Sequence, residues 1–260
     1  MKNKKILFLI ILINIFFCQK KEEVYIQGWV SKMEFTKDNV KYFREVGVYN
    51  YRGFKMIPKV FMNDTFLSLR NEPFTYAFYG NYSPFLTNRK YKLKVEHQDG
   101  IAFSEVYMPK EFEILYPKEE TIIEKSSAPF KIFWQKSEGA EWYEINFIVE
   151  YDYLLPNGDD DEFIFSLDTV VKDTYLIIDG KRIFPDYIEE ILDGEGNITI
   201  YSGTGPALRP GEKGNIKGCG YGFFNALYSP EDRTFYIETP PKVKKQICNK
   251  QKILEKLKNR

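Results

Sequence analysis

Apolar and polar residues alternate along several short runs of the chain, and this alternation limits how the chain can fold. Residues 91–96 alternate aromatic or aliphatic side chains with charged ones, and residues 142–155 repeat the pattern over a longer run. A period of two is that of a β-strand, in which neighbouring side chains point to opposite faces. Turn residues such as Asp99 and Gly100 separate the runs. The pattern therefore predicts many short strands and an all-β fold.

Composition supports strands, because aromatic residues make up 17% of the chain and favour half-buried pleated surfaces. Short strands at this spacing are typical of a β-sandwich or a small barrel. We expect two tandem sandwich units, at residues 24–110 and 111–240. A short helix is expected at residues 184–192, where Pro185 suits the first helical turn.

The N-terminus has the pattern of an export signal. Residues 1–5 are basic, residues 6–17 are almost wholly apolar, and polar residues follow Cys18. Twelve apolar residues are too few to cross a bilayer as a helix, whereas they suit a signal peptide. We therefore expect a signal peptide at residues 1–17 and a linker at residues 18–23.

This segment resembles a bacterial lipoprotein signal. The resemblance implies that Cys18 receives a lipid and that the exported protein is anchored to the cell membrane, in the outer membrane on its periplasmic or external side. Phe17 stands where such signals usually have a small residue. A signal without lipidation, in which the cysteine is incidental, is the alternative.

Charge is unevenly distributed, although the formal net charge is zero. The tail at residues 241–260 carries eight basic residues and one acid, so the body of the chain is acidic. An acidic body disfavours nucleic acid, which is bound through basic surfaces. Apolar residues among the lysines approximate a C-terminal amphipathic helix that would contact lipid or an acidic partner, and a solvated tail is the alternative.

Residues 130–151, with the sequence FKIFWQKSEGAEWYEINFIVEY, resemble the start of an immunoglobulin-like or fibronectin-type-III-like module. The resemblance implies that Trp134 and Tyr143 are core residues. The chain also resembles a group of uncharacterised bacterial surface lipoproteins through VYIQGWV at residues 24–30, YKLKVEHQDG at 91–100 and GNIKGCGYGFFNALYS at 214–229. That group implies an N-terminal β-sandwich, a fibronectin-like part, and association with TonB-dependent receptors.

Two further groups of residues are candidate sites. Cys219 and Cys248 could form a disulfide in an oxidising compartment, or remain reduced. Carboxylates that could bind calcium are clustered after a turn, at Asp159, Asp160, Asp161 and Glu162. The alternative is a solvated hairpin tip whose charges keep nearby strands from pairing with other chains.

Catalytic signatures are weak. His97 is the only histidine and is expected in an exposed loop, so a nucleophile with a histidine base is disfavoured. The glycines of residues 214–222 favour close strand approach over a phosphate loop. We expect no cofactor and no enzymatic activity. The aromatic candidates for ligand contact are Trp29, Tyr79, Tyr82, Trp142 and Tyr153.

The sequence therefore predicts a membrane-anchored, non-catalytic binding or accessory module whose partner is a cell-envelope protein or receptor complex. A carbohydrate-binding lipoprotein is the first alternative, and it predicts a line of exposed aromatic residues on one sheet face. A glycoside hydrolase is the second, and it predicts a concave pocket with two carboxylates.

Lipidation at Cys18 is tested by globomycin, which blocks processing of lipoprotein signals. We expect the treated precursor to migrate more slowly on a gel than the mature protein, because residues 1–17 stay attached. A Cys18→Ala variant should give the same slow band without the drug. Unchanged mobility in treated cells would contradict the assignment.

Overall fold

The computed structural model describes residues 24–155 and 157–238. The expected signal peptide, linker and basic tail lie outside these residues. In chain order the strands are β1 (Val24–Thr36), β2 (Asn39–Asn50), β3 (Lys59–Met62), β4 (Thr65–Phe66), β5 (Ser68–Leu69), β6 (Tyr76–Asn81), β7 (Arg89–His97), β8 (Gly100–Met108), β9 (Ile114–Tyr116), β10 (Thr121–Glu124), β11 (Phe130–Trp134), β12 (Trp142–Leu154), β13 (Asp160–Val171), β14 (Tyr175–Ile178), β15 (Glu190–Thr204), β16 (Lys217–Gly218), β17 (Tyr221–Ser229) and β18 (Arg233–Glu238).

The prediction of an all-β protein is confirmed. Helix within the described residues is confined to one turn, α1 (Gly180–Ile183). Contacts group the chain into two compact units. Of the described residues, unit 1 contains 24–111, 137–141 and 202–228, and unit 2 contains the remainder. The chain passes from unit 1 to unit 2 between residues 111 and 112, one residue from the boundary expected between residues 110 and 111. It passes between the units four more times further on. The likeness of each unit to immunoglobulin or fibronectin modules stays a prediction.

Unit 1 is built from two facing sheets. One has the strand order β17-β1-β2-β6-β5, and the other has the order β16-β8-β7-β3-β4. The sheets meet where Gly28 of β1 faces Leu93 of β7, since a Cβ added to Gly28 would lie 3.3 Å from the Leu93 side chain. The predicted alternation in β7 is confirmed, because Tyr91, Leu93 and Val95 are buried while Lys92 is exposed. Burial of these inward faces supplies most of the stabilisation of a sandwich.

Unit 2 also contains two sheets. Residues 190–201 of β15 join a sheet of order β10-β18-β15-β12-β13, and a smaller sheet has the order β14-β11-β9. The ring of Phe130 in β11 lies 5.3 Å from that of Phe147 in β12 and 5.4 Å from that of Phe235 in β18, measured between centroids. The small sheet therefore packs on the large one. Trp134 and Tyr143 are buried in contact with each other, which confirms that they are core residues.

The expected helix at residues 184–192 is wrong. Within residues 157–238, helix is limited to α1, where the Asp179 side chain accepts a hydrogen bond from the backbone N–H of Lys181. A turn follows, and β15 begins at Glu190. Ile191 is buried and Leu192 is exposed, as in a strand. Pairing of β15 with β18 and β12 outweighs the local helical preference of this segment, and Pro185 lacks the N–H that would continue the helix.

Glycines allow close strand approach in the segment at residues 214–222, as the sequence predicts. Gly222 has φ +127°, and a Cβ added there would lie 1.9 Å from the carbonyl oxygen of Ile26. The Asn215 side chain binds the strand of Gly222 two residues further on. Its amide N–H donates to the carbonyl of Phe224 and its amide oxygen accepts from the N–H of Phe224, both at 2.7 Å. No larger residue fits at position 222 without moving β1.

We expect Gly222→Ala to lower the free energy of unfolding by about 3 kcal/mol or more, since it adds a steric clash to the strain of a positive φ. Gly211→Ala is the matched control, because Gly211 also has positive φ but nothing lies within 4 Å of an added Cβ. We expect this control to lose about 1 kcal/mol. Urea unfolding measures both values, and equal losses would show that close approach is not the cause.

Candidate ligand-binding surface

Several predicted site residues lie outside the described part of the chain. These are Cys18, Cys248 and the basic tail. Lipidation and a disulfide between Cys219 and Cys248 therefore stay predictions. Cys219 is half-buried in unit 1, where its backbone N–H donates to the carbonyl oxygen of Ile101 at 2.9 Å.

His97 is buried rather than in an exposed loop, which corrects the expectation from sequence. It is the last residue of β7 and is 5% exposed. Its Nε2 lies 2.6 Å from the carbonyl oxygen of Cys219, and its Nδ1 lies 3.3 Å from the N–H of Asp99. These partners fit a neutral ring that donates from Nε2 and accepts at Nδ1. Both ring nitrogens therefore form hydrogen bonds with the backbone. Burial is the largest influence on the pKa of His97, and it lowers that pKa.

The four clustered carboxylates belong to the hairpin that joins β12 and β13. Leu155 donates its backbone N–H to the carbonyl of Asp159 at 2.8 Å, and Asp159 is held by the amide of Asn157 at 2.7 Å. Neighbouring residues of β13 point to opposite faces. Asp161 accepts a hydrogen bond from Tyr153, whereas Glu162 lies beside Glu150. The four carboxylates therefore do not converge on one point.

The outer face of this hairpin carries an acidic cluster that the sequence analysis missed. Glu150, Asp152, Asp193 and Glu195 line a cavity of about 220 Å³. Hydrogen bonding to the neighbouring Glu150 carboxylate is the main cause that raises the pKa of Glu162. Within residues 24–155 and 157–238, no group of three or more His, Cys, Asp or Glu side chains is arranged to hold a metal ion. Calcium binding stays a prediction.

Three of the five aromatic candidates are buried, so they are not ligand contacts in this structure. Tyr79, Trp142 and Tyr153 are at most 6% exposed. The hydroxyl of Tyr79 donates to the carbonyl oxygen of Pro58, which accounts for a polar group at a fully buried position. Trp29 is half-buried, and Tyr82 is 46% exposed.

A different set of aromatic residues forms a line on the surface of unit 2. Tyr116 of β9, Phe133 of β11 and Tyr175 of β14 are direct cross-strand neighbours. They are 40%, 39% and 46% exposed. Adjacent strands are about 4.8 Å apart, so these side chains extend over about 10 Å. We call these three residues the aromatic row.

The aromatic row borders a concavity. A cavity of about 490 Å³ is lined by Tyr116 and Phe133, by Ile122 of β10, and by the polar residues Lys131 and Glu124. Its lining is mainly apolar, with polar groups at intervals. Ligand sites commonly combine apolar walls with a few polar groups that fix orientation. This arrangement is suited to binding a molecule with both apolar and hydroxyl-bearing faces.

The strand pattern explains why these aromatic residues face outward. In β11, Phe130, Ile132 and Trp134 are buried, so Lys131 and Phe133 must lie on the opposite face. The FKIFW sequence thus carried a signal for Phe133. No comparable sign in the sequence indicated that Tyr116 and Tyr175 lie beside Phe133, because that depends on which strands pair with β11.

The two units differ strongly in charge. The described residues of unit 1 include 16 basic and 12 acidic side chains, a net charge of +4. Those of unit 2 include 8 basic and 22 acidic side chains, a net charge of −14. The acidic character of the body therefore belongs to unit 2, which carries the aromatic row.

No protein-family model matches the chain, and no curated protein matches its sequence. A helix long and apolar enough to cross a bilayer is absent from the described residues.

The buried position of His97 predicts a pH-dependent stability. Its ordinary pKa of 6.5 applies to the unfolded chain, whereas burial lowers the pKa in the folded protein. Protons therefore bind more readily to the unfolded chain, and stability is lost as the pH falls below about 6.5. We expect the urea midpoint to fall between about pH 7.5 and 5.5 in the wild type and to fall less in His97→Gln. Equal slopes in the two proteins would contradict this role.

Proposed function

We propose that the protein is an exported, lipid-anchored binding module of the bacterial cell envelope, without catalytic activity, and that it binds a glycan through the aromatic row. The aromatic row carries this proposal. A line of exposed aromatic residues is what the carbohydrate-binding alternative predicts, and Tyr116, Phe133 and Tyr175 occupy one row of one sheet face.

The chemistry of this surface supports a sugar polymer. Sugar rings present C–H groups on their faces and hydroxyls at their edges. Half-exposed aromatic rings offer apolar area for the faces, while Lys131 and Glu124 can hydrogen-bond to hydroxyls. The row extends over about 10 Å, as expected for a chain that lies across strands.

Charge favours a neutral glycan over an acidic one. The described part of unit 2 has a net charge of −14, so an anionic polymer would be repelled from its surface. The same argument disfavours nucleic acid as the ligand of unit 2.

Anchoring would increase the effect of a weak binding site. A lipid on Cys18 would hold the module at the membrane and raise its local concentration near an envelope polymer. Shallow, open surfaces bind single ligand units weakly, so tethering would give useful retention without deep burial of the ligand.

A second candidate function is that of an accessory module in a membrane receptor complex. One observation favours it. Among the described strands, β13 pairs only with β12, which leaves the other edge of this twelve-residue strand open. An open edge can accept a strand from a partner protein. The carboxylates at the start of β13 would limit such pairing to selected partners.

We expect the full chain to be retarded in native gels that contain a neutral polysaccharide, tested with glucan, mannan and galactan. Phe133→Ala should weaken retardation at least about tenfold in apparent Kd, equivalent to about 1.4 kcal/mol, because it removes the centre of the row. Phe74→Ala is the matched control, since Phe74 is 79% exposed in unit 1 and lies outside the row.

Two outcomes would contradict the proposal. Retardation of Phe133→Ala equal to that of the wild type would place binding elsewhere. Absence of retardation by every neutral polysaccharide would exclude the tested glycans, and a pull-down from the native envelope, with Cys18→Ala as control, would then test the receptor candidate. Recovery of one receptor in amounts near those of the protein would support that second function.

A further inference from the structure

Unit 1 presents a second exposed surface of a different kind. It is the outer face of the sheet of order β16-β8-β7-β3-β4. One row of cross-strand neighbours runs over all five strands and contains three phenylalanines and two lysines. In order across the sheet, the row contains Phe66, Phe61, Lys94, Phe103 and Lys217. We call this surface the lysine–phenylalanine face.

Its apolar side chains project into solvent. Phe66 is 53% exposed, and Ile101 and Phe103 are each 49% exposed. Ile101 and Phe103 are neighbours on β8, and Phe66 lies on β4 at the far side of the same sheet face. Exposed apolar side chains on one sheet face are a common mark of a contact surface. The concavity between Phe61, Phe103 and the surrounding lysines has a volume of about 690 Å³.

Lysines surround these apolar side chains. The basic residues on the outer face of the sheet are Lys59, Lys90, Lys92, Lys94 and Lys217. The acidic residues on this face are Glu96 and Glu105, with Asp64 at its margin. Lys90 pairs with Glu105 at 2.5 Å, and Lys94 pairs with Glu96 at 3.0 Å. Lys92 and Lys217 have no carboxylate partner among the described residues. Lys59 has no such partner within this part of the chain either, so the face has three ammonium groups available for an anionic ligand.

The start of the described chain lies at one edge of this sheet. Gly220 is packed so closely that an added Cβ would lie 3.3 Å from the carbonyl oxygen of Val24 and 3.0 Å from Cβ of Ala102. Ala102 is buried and points away from the exposed Ile101 and Phe103, so Val24 lies behind this sheet, near its β16 edge. Cys18 precedes Val24 by six residues, which span at most about 21 Å when fully extended. A lipid on Cys18 would thus hold this edge close to a membrane.

We propose that the lysine–phenylalanine face rests on a bilayer that contains anionic phospholipid, as a second membrane contact beside the lipid anchor. This inference rests on the membrane anchoring in the proposed function. The phenylalanines and Ile101 enter the interfacial region, and Lys92 and Lys217 contact lipid phosphates. Exposed aromatic and aliphatic side chains surrounded by lysines are the combination that binds anionic membrane surfaces.

Other anionic ligands fit the face less well. An acidic peptide would be recognised by strand addition at a sheet edge or in a continuous apolar groove. This surface is instead a sheet face on which Lys94 separates Phe103 from the Phe61–Phe66 pair. An acidic polysaccharide would satisfy the lysines. It would give no role to the aliphatic Ile101, whereas a bilayer covers it, and a bilayer that holds Cys18 would lie within about 21 Å of Val24.

The test uses the full chain isolated from membranes and reconstituted into vesicles, with a tryptophan as depth probe. Phe103→Trp places the probe on the face, and Phe74→Trp places it on an exposed site of the same unit outside the face. All vesicles contain phosphatidylcholine with brominated acyl chains, which quench tryptophan by contact. One set also contains phosphatidylglycerol.

The parent chain contains Trp29, Trp134 and Trp142, so its quenching is subtracted as a background from both variants. We expect the remaining quenching at position 103 to be at least twofold greater than that at position 74 in vesicles with phosphatidylglycerol. The difference should shrink in vesicles without phosphatidylglycerol and in 1 M salt, because lysine–phosphate attraction is screened. Replacing Lys92, Lys94 and Lys217 by Gln should reduce it further, since each lysine near an anionic surface contributes about fivefold to binding. A melting curve checks that each variant is folded.

The outcomes separate this inference from the proposed function. If the chain floats with vesicles but positions 103 and 74 are quenched equally, the face does not contact lipid, while anchoring stands. If the chain does not float, anchoring fails and this inference fails with it. If polygalacturonate shifts the emission at position 103 while vesicles do not, the ligand of the face is an acidic glycan and the lipid proposal is overturned.

Discussion

The ring of Phe130 lies against two rings of the opposite sheet in unit 2, and the exposed aromatic row depends on this contact. Packing of Phe130 against Phe147 and Phe235 fixes which face of β11 points inward. A strand has only two faces, so burial of Phe130 commits Phe133 to the surface. A slip of one residue would exchange the two. The core of unit 2 therefore determines its candidate binding surface, and Phe133 is exposed by the register of β11.

The sequence predicted the elements whose residues alternate clearly. Strand β7 and the hairpin β12–β13 follow directly from period-two patterns, and the core roles of Trp134 and Tyr143 are confirmed. The pattern failed where pairing between distant segments decides the outcome. Residues 184–192 have local features of a helix start. Pairing with β18 and β12 nevertheless places Glu190 and the residues that follow it in strand β15.

Burial was harder to predict for residues that combine apolar and polar groups. His97 was expected in solvent because a turn follows it, but the carbonyl of Cys219, 122 positions later, provides its hydrogen-bond partner. Tyr79 can be buried because the carbonyl oxygen of Pro58 accepts a hydrogen bond from its hydroxyl. The aromatic row was missed for the same reason, since its neighbours come from three separate segments. Local sequence does not specify such partners, so candidate sites are less predictable than strands.

The division of the chain between the two units has a consequence for the order in which they can form. Unit 1 includes residues 202–228, which supply β17 and part of β15. During synthesis from the N-terminus, β1 and β2 can pair early, but β1 lacks its second neighbour until most of the chain has emerged. The earlier segments must therefore wait with one edge of β1 unpaired. Contacts between distant residues slow folding in this way, and the waiting chain depends on protection from aggregation.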